Sequence, residues 1–593
     1  MKDFVKTMLA VICALIVVRL VAFLFILIMA GSAALSGGGA IRLTKGSVLD
    51  MDMSTFRISE QTQEEMPQGM GVFSGGFDML PSVGLHDAIT AIETAATDPA
   101  VKYILLRPDG FTGGMADLEE LRKALREFRQ SGKAVVAYTE NPGNGSYYLA
   151  SVADKILMGS QHGGTPQLIG LSSQMIFLKD LLDKVGVNVQ LIRHGKYKSA
   201  GEMFIRSTAS PENLHQNKVL ITSAWDAMSS YMAESRDMPV DRLNELVDAL
   251  AFNLPEDFTA NGLADELVDH EALVSRLCTL AQVDDPRKLH LIPFADYVAV
   301  RVAPAVGGTQ VAVLYANGDI VDGKGYEGVA GDRFVREIDA LRKDPSVKAV
   351  VLRVNSPGGS VSASVKIRAA LDELQKVKPL VASYGNYAAS GGYWISNGCQ
   401  KIYSDATTIT GSIGVFSMSP EISKDTKKLG VSVETVGSNK HSDMASLVRP
   451  FDTEELAYLQ ASVEDIYEMF VNLVAESRGK TAEEIDAIAQ GRVWAGADAL
   501  NIGLVDEIGT LEDAIHYAAA LADFQSSDQY KVVGYPQPLT VFEQLMYSFG
   551  QNTDEPYILA DTPFAALSGA IEALKPGTLG AAYARLPYSL SIQ

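Results

Sequence analysis

The chain has 593 residues, enough for two to four domains at ~150 residues each. Its 50 Lys and Arg against 72 Asp and Glu leave a net charge of −22, which argues against a binder of nucleic-acid backbones. Hydrophobic residues at 47% and charged ones at 21% exclude wholesale disorder, and the scattered Cys13, Cys278 and Cys399 offer neither a disulfide framework nor a CxxC metal knuckle.

The first predicted element is an apolar run from Met8 to Ala30. As a helix these 23 residues would span ~35 Å, enough for a ~30 Å hydrocarbon core. Arg19 interrupts the run at ~3 kcal/mol, which its Leu, Ile, Val and Phe residues outweigh; alternatively the span slides to Leu20–Leu35. Lys2 and Lys6 precede it, Arg42 and Lys45 follow it, and the expected topology is N-terminus inside. A cleaved signal peptide is the competing reading, although its apolar region would be unusually long.

Residues 41–300 form a first unit, with short apolar runs alternating with helical patterns. Near its middle, Lys198 lies in HGKYKSAGEMF (His194–Phe204), after a strand and among small and apolar residues. Such a lysine serves as a base only if desolvation brings its pKa from ~10.4 toward ~7–8, a cost of roughly 4 kcal/mol. HEALV (His270–Val274) begins like a zinc helix but lacks the second histidine, and no metal or cofactor is expected.

After the boundary stretch Ala303–Gly308, a second unit covers 308–528. Val311–Ala316 reads as a buried strand, Phe334–Lys343 as a helix, Lys348–Val354 as a strand, Ser362–Val377 as a helix and Pro379–Tyr384 as a third strand. Runs without polar alternation, joined by helices, imply parallel strands covered on both faces. GKGYEG (Gly323–Gly328) matches GxGxxG but sits past its strand and reads as a loop. NSPGGS (Asn355–Ser360) follows a strand directly, and its paired glycines can aim backbone N–H groups at an oxyanion. Ser390, in GNYAASGGYW (Gly385–Trp394), sits in a run resembling a nucleophile elbow. Its base could be a lysine, or His441; His516 lies in a helical pattern and reads as packing or solvent-facing. Residues 529–593 lose the α/β pattern and form a tail without an assignable role.

The two units repeat each other. DPAVKYILLR (Asp98–Arg107) and DPSVKAVVLR (Asp344–Arg353) share six of ten positions at an offset of 246. KAVVA answers KPLVA, YYL answers YWI, LLDKVGVNV answers TKKLGVSV, and GLAD (Gly262–Asp265) answers GLVD (Gly503–Asp506), in the same order. In this alignment Ser390 faces Asn144 and Lys198 faces Ser442. The first copy thus lacks the nucleophile and the second lacks the base.

YKSAGEMFIR with Lys198, NSPGG, NYAASGGYW with Ser390, TGSIGVF (Thr410–Phe416) and GRVWAGADALNIGLVDEIG (Gly491–Gly509) resemble the long, duplicated form of the signal peptide peptidase A (protease IV) family over roughly residues 1–530. The resemblance implies an α/β chain of two tandem crotonase/ClpP-like repeats with parallel sheets, behind one transmembrane helix within residues 1–40. It implies a serine endopeptidase of the bacterial inner membrane, its body on the periplasmic side, that hydrolyses signal peptides left after secretion. Ser390 is then the nucleophile, Lys198 the general base, and Ser412 a support for the lysine, with the N–H groups of Gly359 and Gly391 expected at the oxyanion. Signal peptides and other apolar peptides, the membrane and further copies of the chain are the expected partners. Three alternatives remain at this stage: a crotonase-like acyl-CoA enzyme, an inactive membrane-tethered scaffold, and a Ser390–His441 pair.

Overall fold

The computed structural model describes residues 43–62, 80–161, 163–302, 308–539, 543 and 582–585. The expected anchor at Met8–Ala30 lies outside the described residues, and among these no helix is long and apolar enough to cross a membrane.

The first unit runs through β1 (Ser47–Asp52), α1 (Leu85–Thr97), β2 (Val101–Arg107), α2 (Met115–Gln130), β3 (Val135–Thr139), α3 (Asn144–Ala150), β4 (Lys155–Gly159), β5 (Asn188–His194), α4 (Pro211–Ser235), β6 (Glu266–Val268) and β7 (Leu291–Pro293). Six of the strands form one sheet in the order β6-β4-β3-β2-β1-β7, every pair parallel. Parallel neighbours need crossovers, which the helices supply while covering the sheet's faces.

The second unit contains β8 (Gln310–Asn317), β9 (Ile320–Val321), β10 (Val329–Ala330), α5 (Gly331–Lys343), β11 (Val347–Ser356), β12 (Gly358–Ser360), α6 (Val361–Gln375), β13 (Leu380–Ala389), α7 (Gly391–Ser396), β14 (Ile402–Ser404), β15 (Ile409–Gly411), β16 (Val415–Glu421), α8 (Thr453–Arg478), β17 (Val493–Ala495), β18 (Glu507–Ile508), α9 (Leu511–Leu521) and β19 (Lys531–Tyr535). Its strands repeat the first sheet one for one: β18-β14-β13-β11-β8-β19, again parallel. β15 and β17 extend the far end of β13. The edge strand β19, matching β7, lies in the stretch whose sequence shows no pattern.

Side chains repeat with the strands. Tyr147 Oη donates to the Leu263 carbonyl at 2.8 Å, and Tyr393 Oη to that of Leu504 at 2.8 Å. The Lys133 ammonium donates to the carbonyls of Ala95 and Asp98, as Lys378 does to those of Leu341 and Asp344. Asp265 accepts from the backbone of Ile156 at 2.6 Å, and Asp506 from that of Ile402 at 2.8 Å. Two α/β domains of one pattern follow, each closing its own loops the same way.

What sets one copy against the other is α2. Glu119 accepts from the Ala406 and Thr407 backbone at 3.0 and 2.8 Å, and Asn386 Oδ1 accepts from the Ala116 N–H at 3.0 Å. The wholly buried Arg353 pairs with Glu60 at 2.9 Å and Glu120 at 2.7 Å, both from the first unit. Its counterpart Arg107 instead pairs with Asp50 and Asp52 at its own sheet. A third sheet completes the join, where β5 of the first unit pairs antiparallel with β16 of the second from Asn188↔Glu421 to His194↔Val415.

Candidate active site

β13 ends in small residues, and the chain turns at Ser390 into α7. Ser390 has φ 56° and ψ −112°, a backbone conformation uncommon for a side-chain-bearing residue and a mark of functional turns. Two contacts hold it there: its N–H donates to the Gly411 carbonyl at 2.8 Å, and its own carbonyl accepts from Trp394 N–H at 2.8 Å. Its hydroxyl is buried with no exposure.

Lys198 arrives from the other copy. It lies in the turn between β5 and the short helix Glu202–Ile205, so the β5–β16 pairing delivers it to the end of β13. Its Nζ lies 2.9 Å from Ser390 Oγ, 3.1 Å from Ser412 Oγ and 3.2 Å from the Ser412 carbonyl. No carboxylate is among these partners. Burial alone pushes the ammonium down from its ordinary 10.5 to about 7. The amine is therefore substantially uncharged near neutral pH and can accept a proton from the hydroxyl it faces.

The lysine's backbone is clamped on several sides. Tyr197 N–H donates to the Gln490 carbonyl at 2.9 Å, Arg193 donates to the Lys198 carbonyl at 2.5 Å, and Gln216 bonds both the Tyr197 carbonyl at 3.1 Å and Ser199 Oγ at 2.9 Å. Gly491 has φ 75°, and a Cβ there would lie 2.6 Å from Lys198 Cβ and 2.7 Å from its Cα. Only glycine lets these two backbones meet so closely.

The paired glycines after β11 complete the site. A Cβ on Gly391 would stand 3.0 Å from Gly359 N, and one on Gly358, at φ 99°, would stand 2.6 Å from Gly391 N. The backbone nitrogens of Gly359 and Gly391 thus border one small space beside Ser390. Backbone N–H groups beside a hydroxyl can steady a carbonyl that develops negative charge.

Among the described residues the first copy has no such site. Asn144, opposite Ser390 in the alignment, ties down its own loop through the Ile169 and Gly170 backbone at 3.1 and 3.0 Å. Beside Gly114, which with Gly113 stands where the second copy has its paired glycines, sits the Asn386 side chain, 1.8 Å from where a Cβ would be. Ser442, opposite Lys198, donates to the Asn439 carbonyl at 3.0 Å in a turn. His441 has its ring nitrogens on Glu455 and Glu454 at 3.1 and 3.2 Å, while Ser390 Oγ has the lysine. GKGYEG is a loop between β9 and β10. Two contributors escaped the sequence reading: Gly491, although it opens one of the quoted motifs, and the Ser412 carbonyl, which no side-chain pattern announces.

Residues 127–284 and 372–525 match the model of peptidase family S49, one stretch in each copy. Protease 4 of Salmonella typhi is 35% identical over 562 residues, 92% of this chain and 87% of that one. Protease 4 of Haemophilus influenzae is 35% identical over 83% of this chain and 80% of its own, and the chloroplastic serine protease SPPA of Arabidopsis thaliana is 29% identical over 86% and 74%. Among solved structures, ClpP1 from Listeria monocytogenes is 18% identical at a TM-score of 0.23, covering 34% of this chain and 94% of that one. The duplicated α/β architecture and the matches along nearly the whole chain place this protein in peptidase family S49, as a serine-type peptidase.

Proposed function

We propose that the protein is a membrane-anchored endopeptidase in which Ser390 is the nucleophile and Lys198 the general base, the two supplied by different copies of a crotonase/ClpP-like repeat. The observation that carries this reading is the 2.9 Å contact between a fully buried, partnerless-in-charge amine and a buried hydroxyl. Lys198 Nζ takes the Ser390 proton as Oγ bonds to the peptide carbonyl carbon. The oxygen gains charge against the N–H groups of Gly359 and Gly391. The C–N bond breaks as the lysine returns the proton to the leaving amine, and water then releases the acyl group by the same route. Ser412, through its hydroxyl and carbonyl, orients the lysine's remaining hydrogen bonds.

Signal peptides and other apolar peptides are the proposed substrates. An apolar cluster of Val189, Phe204, Phe416 and Met418 lies on the sheet that carries Lys198 to the site, and an extended peptide can add to that sheet by backbone bonds. The run Met8–Ala30 is the proposed anchor, with the body outside the bacterial inner membrane. Further copies of the chain are the proposed partners, at the segment that exposes Leu429, Val431, Val433 and Val436.

Two experiments test the reaction. The value of kcat/KM on an apolar model peptide is expected to rise with pH through about 7, as Lys198 loses its proton, and then to level off; a flat profile from pH 5 to 9 contradicts it. Gly491→Ala is expected to lower kcat/KM by roughly 10²-fold, because the new methyl displaces the lysine by about an ångström. Unchanged kinetics in that variant would show that the lysine's position does not matter.

A further inference from the structure

The third sheet contains a strand from far along the chain. β20 (Tyr583–Arg585) lies between β12 and β16, giving the order β10-β9-β12-β20-β16-β5. It runs antiparallel to both neighbours, with Gly359↔Ala584 on one edge and Phe416↔Tyr583 on the other. The Val361 N–H donates to the Ala582 carbonyl at 3.3 Å. In an antiparallel ladder bonded pairs alternate, so in this register Gly359 and Ala584 form the next bonded pair and the Gly359 N–H addresses the Ala584 carbonyl.

That carbonyl is where a substrate's would be. Its oxygen lies 2.0 Å from the position of a Cβ on Gly358 and 3.1 Å from one on Gly391, in the space bordered by the two glycine nitrogens. Ala584 and Ser390 both have no exposure with the strand in place. On either side the strand is read by side chains: the Tyr583 ring lies 5.9 Å from that of Phe416, and Arg585 pairs with Asp319 at 2.8 Å. The 43 residue steps from Leu539 to Ala582 can extend beyond ~100 Å, so chain length does not limit access to the cleft.

We infer that Ala582–Arg585 is a built-in substrate mimic: it occupies the peptide cleft as a substrate strand does, Ala584 on the acyl side, with Asp319 recognising the basic side chain that follows. This rests on the Ser390–Lys198 reading for what the cleft does, but not for its being occupied. A tethered segment acts at a high effective concentration, so outside peptides must compete with it. Pairing on both edges and the Arg585–Asp319 contact hold the leaving side in place. Access to Ser390 thus depends on the strand moving out.

The test uses the full chain with Ala584→Pro and Arg585→Glu together, which removes the Ala584 N–H from the ladder and sets like charge against Asp319. In a Ser390→Ala background, where nothing is cleaved, the probe dansyl-Ala-Tyr-Ala-Arg-amide is expected to bind at least tenfold tighter once the strand is unseated. Equal binding with and without the two substitutions overturns the mimic. With Ser390 present, the same substitutions are expected to lower KM for an internally quenched peptide at least tenfold with kcat unchanged; equal KM overturns it independently. In the chain whose strand is already unseated by the two substitutions, Asp319→Asn is expected to weaken the Arg-ended probe and not its Leu-ended counterpart, and equal weakening of both overturns the role of Asp319. Should Ser390→Ala retain turnover, the catalytic reading fails while the binding comparison still decides the mimic.

Discussion

Lys198→Met is expected to lower kcat/KM by roughly 10³-fold or more while making the protein more stable at neutral pH. Methionine has similar length and no proton to exchange, so the Ser390 hydroxyl keeps its place and loses its base. The stability gain follows from the lysine's burial. Its folded pKa of about 7 lies below the unfolded value near 10.4, so between these limits the unfolded chain binds the extra proton. Wild-type stability therefore rises with pH from about 7 to 10, and the penalty at pH 7 is of order a few kcal/mol. The Met variant loses that slope, and its advantage shrinks as pH rises. Activity assays with thermal unfolding at pH 7 and 9 check both halves. A variant that is less stable at pH 7 would mean that the lysine is retained for packing rather than for chemistry.

The second large effect is expected at the join between the copies. Arg353→Met leaves Glu60 and Glu120 buried without their cation, a loss of roughly 3–5 kcal/mol. Burial already raises the carboxyl of Glu120 despite the pull of Arg353, and also that of Asp405. Without the arginine these groups titrate higher still, so the folded variant binds protons that the unfolded chain releases. The deficit then grows as pH rises above the ordinary carboxylate range and is relieved as pH falls toward it. Adding Glu60→Gln and Glu120→Gln is expected to recover part of the loss. Unfolding midpoints of the single and triple variants at pH 6 and 8 measure this; a pH-independent deficit would assign the effect to lost packing. Because Ser390 and Lys198 come from opposite sides of this join, the single variant is also expected to lose turnover before it loses secondary structure.

Much of the architecture was open to reading from the chain alone. The strands around Val311–Ala316 and Lys348–Val354 are largely apolar runs without polar alternation because both faces are covered, and β8 and β11 lie where those runs are. β13 continues past Tyr384 through Gly385 and Asn386 to Ala389, which polarity conceals: Asn386 is there to cap α2 of the other copy, a demand set across 270 positions of sequence. The same distance hides the β5–β16 pairing, since neither strand carries a local sign of its partner. Ser390 was visible as a small-residue turn and Lys198 as a lysine in apolar company, yet neither residue alone separates a reacting group from a packed one. Their complementarity between the two copies is what favours a reacting pair, and the fold sets the two side chains 2.9 Å apart. Gly491 and β20 were not legible, because one acts by leaving room and the other by occupying it.

The most direct test of the central claim is the rate at which a fluorophosphonate labels the full chain across pH 5 to 9, with the modified residue located by mass spectrometry. Labelling is expected at Ser390, with a rate that rises through an apparent pKa near 7 and falls at least 10²-fold, losing its pH dependence, in Lys198→Met. Label at another residue, or an unchanged profile in Lys198→Met, would contradict an uncharged amine from one copy serving a hydroxyl from the other.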